Sequence, residues 1–309
     1  MTRGLSRILF LSAALVYVGS TAWAQRCPPG EPTVQVLGSG GPRADNARAS
    51  SGYVLWIGGK ARVVVDLGGG TFNRFGASGA RIQDLDLIVL THLHADHATE
   101  LPALLKSAYF SPRTRALPIA GPTGGGRYPG LQGYLDGLFD PERGAFRYLS
   151  GYLDGSDGLF ALEPVTIDAS LREPRLVLSD ASLRVSATGV THGPVPALAY
   201  RVEIGSEVVV FGGDQNGDDP SFVDFARGAD LLVMHHAVPE HTGRIAANLH
   251  ALPSELGEIA HKAGARHLVL SHLMPRSERT LEASRALMRE HFKGKITVAE
   301  DLMCIVISE

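Results

Sequence analysis

Three imidazoles and a carboxylate crowd into "THLHADHATELPALL": His92, His94, Asp96 and His97 stand directly after the apolar run "LDLIVL". The whole chain has only twelve histidines, so the crowding asks for a chemical reason. A helix cap would use Thr91 or Asp96 to accept backbone N–H groups and would leave the imidazoles without a task. A metal ion would use them. Imidazole nitrogen together with carboxylate oxygen is a donor set that suits zinc-like ions, and the missing ligands must then lie elsewhere in the chain.

Three more strand-like runs end in the same residue types. His192 comes after "LRVSATGV" and Thr191, Asp214 after "SEVVVFGG", and His272 after "RHLVLS". Each alone reads as an ordinary polar residue at a strand end. Taken together, four strands deliver an imidazole or a carboxylate beside small or turn-forming neighbours, which is the pattern of a metal centre assembled at strand ends.

The elements that must position these groups are readable from the apolar pattern. Strands are expected over 33–40, 53–66 (a hairpin turning at Gly58-Gly59) and 85–92, followed by a helix over 98–110. The Gly/Pro-rich stretch from 117 to about 164 carries "GYLDG" at 133–137 and again at 151–155. It reads as inserted loop or short helices, a candidate lid, within an insertion at about 121–182. Further strands are expected over 183–191, 197–204, 207–213, 230–235, 266–271 and 296–307, with helices over 221–228, 252–263 and 279–292. The helix over 252–263 has its start signal in Pro253-Ser254-Glu255 and its stop at Gly264. No linker rich in proline, serine or charge divides the chain, so residues 25–309 are expected to form one two-sheet domain with helices outside.

The first 24 residues are of another kind. Arg3 and Arg7 precede an apolar core from Ile8 to Val18, and Ala22 and Ala24 occupy the small-residue positions of a cleavage site. The core is shorter than the roughly 20 apolar residues of a membrane span, and Ala24-Gln25-Arg26 before Cys27 is no lipoprotein box. The expectation is a secretory leader cut after Ala24, giving a periplasmic or secreted protein without a membrane anchor. Loss of the two arginines leaves 27 basic against 32 acidic residues, which disfavours long nucleic acid as a partner. Cys27 and Cys304 are the only cysteines; they are compatible with one bridge in an oxidising compartment or with a buried Cys304 thiol.

His92-Leu93-His94-Ala95-Asp96-His97 matches H-x-H-x-D-H, and with His192, Asp214 and His272 in order the chain resembles the metallo-β-lactamase fold superfamily. "THGPVPALAYRVE", "VVVFGGD", "ADLLVMHH" and "LHALPSELGEIAHKAGARHLVLSHLMP" make it similar to the ribonuclease Z-like branch, which includes arylsulfatase and cyclic-nucleotide phosphodiesterase relatives. The resemblance implies an α/β fold, a four-layer αββα sandwich. It implies two divalent ions, zinc being the expected metal: His92, His94 and His192 on the first, Asp96, His97 and His272 on the second, and Asp214 bridging. Asp66 would support the ligands from behind, and Asp96 and His250 would be the catalytic pair, His250 on the leaving-group side.

The activity so implied is hydrolysis of a small phosphodiester or related sulfate ester by a metal-bridging hydroxide. Lactonase or β-lactamase activity at the same site is the alternative, and a non-catalytic metal-binding protein a minor one. Where ribonuclease Z relatives carry His-Glu, this chain has His235-His236, and no basic arm that would grip tRNA is visible. A small-molecule ester is therefore the expected substrate. The oligomeric state is left open, a homodimer included.

Overall fold

The computed structural model describes residues 26–308, so the leader expected over 1–24 lies outside the described residues. Six strands of the first half are Thr33–Gly38 (β1), Gly52–Ile57 (β2), Lys60–Val65 (β3), Leu87–Val89 (β4), Leu117–Pro122 (β5) and Leu162–Ile167 (β6). Arg175–Ser179 (β7), Arg184–His192 (β8), Val195–Ile204 (β9), Glu207–Phe211 (β10), Leu231–His235 (β11), His267–Ser271 (β12) and Lys295–Val298 (β13) follow, and Cys304–Val306 (β14) closes the series.

They form two seven-stranded sheets, ordered β14-β1-β2-β3-β4-β5-β6 and β13-β12-β11-β10-β9-β8-β7. Each sheet is antiparallel on one side and parallel on the other: β3 to β6 run parallel in the first, β10 to β13 in the second. Parallel strands buried on both faces read as continuous apolar runs, and "RVVV", "LIV" and "LLVM" are such runs. Alternation decides which side chain goes where. Val63, Val65, Leu87 and Val89 meet Val185, Tyr200, Leu231 and Val233 between the sheets. Val64 and Ile88 point outward against Leu101, Leu104 and Leu105 of the helix Leu101–Ala108. On the far side Leu232 and Met234 meet Leu256, Ile259 and Met288 of the helices Pro253–Lys262 and Leu281–His291. The result is the four-layer αββα sandwich.

Two expectations from the sequence are corrected. The stretch from 117 to 164 does carry short helices, Leu131–Phe139 and the 3₁₀ turn Arg147–Tyr152, but it is not a loop insertion laid over the fold, because β5 pairs with β4 and β6 inside the first sheet. Its helix Leu131–Phe139 buries Leu131, Leu135 and Phe139, one face at a spacing of four residues. The two "GYLDG" copies differ in structure, the first inside that helix and the second at the end of a 3₁₀ turn. The single strand expected over 296–307 is two strands in different sheets. Ala299 N–H donates to Leu270 O in the second sheet, whereas Leu302 N–H donates to Val36 O in the first. Between them the Asp301 carboxylate accepts from Ser39 N–H, Ser39 Oγ and Ala49 N–H. Those three bonds hold the crossing.

Outside the sheets, the expected helix over 98–110 is a single turn, Ala95–Ala98, followed by Leu101–Ala108. A helix over Thr71–Ser78 was not expected; its first N–H groups, at Gly70 and Phe72, are capped by the remote Glu100 carboxylate. Cys27 and Cys304 form a disulfide that fastens the start of the described chain to β14. Among the described residues no helix is long and apolar enough to cross a membrane.

Candidate metal centre

The carboxyl ends of the inner strands converge on one edge of the sandwich, the usual place for a site in open α/β sheets. β4 leads into His92, His94, Asp96 and His97, β8 ends in His192, β10 leads into Asp214, and β12 leads into His272. His272 and Asp66, which follows β3, both take positive φ, 55° and 59°. That left-handed backbone is uncommon outside glycine and tends to collect at functional positions. Here it turns each side chain back toward the cluster. Neighbouring glycines make room: a Cβ on Gly68 would lie 2.1 Å from the Asp96 carbonyl oxygen, and one on Gly41 would lie 2.6 Å from the His272 ring.

Two donor groups form, and Asp214 belongs to both. His92, His94, His192 and Asp214 bring their donor atoms within 4.8 Å of one another, as do His97, Asp214, His235 and His272. In the first group His92 Nε2 lies 3.0 Å from His94 Nδ1, and His192 Nε2 lies 3.5 Å from Asp214 Oδ2. In the second, His97 Nε2 lies 3.8 Å from Asp214 Oδ2 and His272 Nε2 lies 3.5 Å from Asp214 Oδ1. Asp96 faces the second group, its Oδ2 being 3.2 Å from His272 Nε2 and 3.6 Å from His97 Nε2.

The ring nitrogens supply the test of fit. His97 Nδ1–H donates to Asp66 Oδ2 at 2.8 Å, and His192 Nδ1–H donates to the Leu249 carbonyl at 2.8 Å. Their Nε2 atoms are buried and have no hydrogen-bond partner among the described residues. An unpartnered buried polar atom costs about 1–3 kcal/mol, and a divalent cation removes that cost. Anchoring one nitrogen so that the other faces the ion is how ligand histidines are oriented. Asp66 is itself fixed, accepting from Thr91 N–H and Thr91 Oγ1. The residues fit a divalent metal.

His235 stands inside the second group, yet its one ring lone pair is turned to Tyr53 and not to an ion. Its Nδ1 is 2.5 Å from Asp214 Oδ1, and a carboxylate can only accept, so Nδ1 carries the proton. Nε2 is then the acceptor, 3.3 Å from the Tyr53 hydroxyl, whose proton burial holds on by raising its pKa. His235 therefore orients Asp214, and the fourth position of the second group falls to Asp96. Burial works against the Asp96 carboxylate, but its bond to His272 and the nearby His97 bring it down to about 2.

His250 is also brought to the site, with Nδ1 3.9 Å from Asp214 Oδ2 and without a hydrogen-bond partner among the described residues. Burial lowers its pKa to about 3 despite the Asp214 charge, so its ring is neutral at neutral pH. His236 is buried, neither ring nitrogen has a hydrogen-bond partner among the described residues, and burial lowers its pKa to about 4. The roles of His235, Tyr53 and the Leu249 carbonyl were not foreseen from sequence. The available signal was that "LLVMH" is a fifth strand ending in an imidazole.

Comparison with known proteins agrees in fold. A family profile described as "Beta-lactamase superfamily domain" matches residues 61–273. Ribonuclease Z of Mycolicibacterium gilvum is 30% identical over 285 residues, covering 87% of this chain and 94% of that protein. Ribonuclease Z of Mycobacterium bovis is 29% identical over 282 residues, covering 87% and 96%. The crystal structure of human tRNase Z, short form, is similar with a TM-score of 0.67 at 22% identity, covering 89% of this chain and 99% of that one.

Proposed function

This chain belongs to the metallo-β-lactamase superfamily, on its ribonuclease Z-like branch, and from that premise we propose an exported, zinc-dependent hydrolase of small phosphodiesters or related sulfate esters with two ions per chain. That it is a metal-dependent hydrolase follows from the family. The observation that carries the finer reading is Asp214, whose carboxylate is shared by both donor groups.

His92, His94 and His192 would hold one ion, Asp96, His97 and His272 the other, and Asp214 both. A bound pair of divalent cations acidifies water and neutralises charge on a phosphoryl group. The protein's own residues do the rest. Asp66 and Leu249 fix the tautomers of His97 and His192. His250, as a neutral imidazole, donates a hydrogen bond to the departing ester oxygen rather than a full proton. Export is supported by the leader-like residues 1–24 and by the Cys27–Cys304 disulfide, a bond that persists in oxidising compartments.

Zinc-loaded protein offered bis(p-nitrophenyl) phosphate, a lactone and a cephalosporin side by side is expected to turn over the phosphodiester fastest. Preference for the lactone or the cephalosporin would overturn the ester reading.

A further inference from the structure

Beside the metal centre is a cavity of about 640 Å³, bounded by His94, Tyr128, Pro194, Val195, Ile245 and Leu249. We propose that it is a specificity pocket for a flat aromatic arm of the ester, so that this enzyme takes small aryl esters. The inference rests on the function proposed above and names its substrate class.

The cavity has two chemically different ends. His94, only partly buried, forms the end that belongs to the first donor group. Pro194 of the β8–β9 turn, Val195 at the start of β9, Leu249, and Ile245 on the single-turn helix Arg244–Ala247 give apolar walls, and Arg244 and Asn248 complete the lining. Ile245 is 84% exposed. An isoleucine left in water at the mouth of a metal site is a wall waiting for an apolar guest, since removing its surface from solvent is favourable.

Tyr128 makes the guest aromatic rather than merely apolar. Gly125 and Tyr128 exchange both backbone hydrogen bonds, at 3.1 and 3.0 Å, so a tight turn fixes the residue that carries the ring. The Arg127 guanidinium lies 5.5 Å from the Tyr128 ring centroid, and the His94 ring centroid lies 6.3 Å away. A ring held this way offers an edge or a face for offset stacking. The volume fits a small ligand, within the range of about 300–1,000 Å³, and a folded RNA stem could not enter it.

The wall is tied to the ligands. The Leu249 carbonyl accepts from His192 Nδ1–H, and Leu249 Cδ2 is within 2.9 Å of where a Cβ on Gly193 would stand. An arm seated against Leu249 therefore rests beside the backbone that aims His192. The anionic group of the same ester then reaches the donor atoms without leaving the pocket.

Calorimetric titration of the zinc-loaded protein with phenylphosphonate and methylphosphonate tests this without turnover, because the two probes share the anionic group and differ only in the arm. The wild type is expected to bind phenylphosphonate about tenfold more tightly. Tyr128→Ala and Ile245→Ser should each reduce that preference to about threefold or less, with methylphosphonate affinity moving less than about twofold. Equal affinity for the two probes in the wild type overturns the pocket, as does a preference that survives both substitutions. Failure of both probes to bind overturns the pocket and the metal centre together. A phenyl preference in a protein that hydrolyses no phosphodiester removes the reaction and leaves the pocket standing.

Discussion

His235 Nδ1 lies 2.5 Å from Asp214 Oδ1, with both side chains buried, and this one bond steers the carboxylate shared by the two donor groups. Tyr53 holds the imidazole from its other side. Removing His235 leaves every proposed ligand in place but frees Asp214 to rotate. His235→Ala is expected to weaken metal binding about 10–100-fold, the usual effect of losing a residue that orients a ligand. Competition with a chromophoric zinc chelator measures it. Unchanged affinity would show that Asp214 needs no such support.

Asp214 and His94 differ in reach, since Asp214 belongs to both donor groups and His94 to one. Elemental analysis under saturating zinc should therefore find two ions in the wild type, one in His94→Ala and less than one in Asp214→Ala. A wild type that saturates at one ion would refute the binuclear reading.

The metal motif was legible in the sequence because its spacing is local: His92 to His97 lie on one strand end and one helical turn, whatever the rest of the chain does. His192, Asp214 and His272 were legible because each directly follows an apolar run. What stayed hidden depends on distant partners. β5 has the composition of a turn, with Pro118, Gly121 and Pro122, and it becomes a strand only through pairing on both sides. The division between β13 and β14 is imposed by Asp301 reaching Ser39 and Ala49. The part played by His235 needs Asp214 and Tyr53, which come from two other strands.

The disulfide joins Cys27 to Cys304 across 277 residues of chain. Closing so long a loop restricts the unfolded chain, and bridges of this kind stabilise by about 2–4 kcal/mol. Cys27→Ala with Cys304→Ala is expected to lower Tm by several degrees in a thermal scan while leaving metal content unchanged. Intact mass of the protein purified from cells that express the whole sequence reads the bridge and the proposed processing together: a chain beginning at Gln25 with its cysteines oxidised is expected, and a retained leader would overturn cleavage after Ala24.

His250 should reveal itself through the leaving group. Its ring is buried, neutral and close to Asp214, so it can offer an N–H to the departing oxygen. Such a hydrogen bond gains strength as charge builds on that oxygen in the transition state. Nitrophenolate spreads its charge over the ring and needs little help, whereas an alkoxide concentrates the charge on one atom. His250→Ala is therefore expected to slow an alkyl phosphodiester by about 10²–10³-fold, the effect of losing one well-placed donor, and a p-nitrophenyl ester much less. Comparing kcat for the two ester types in wild type and variant decides it, because a lost donor lowers kcat with little change in KM. Equal losses with both leaving groups would mean that His250 only positions the substrate, and the donor role would fall.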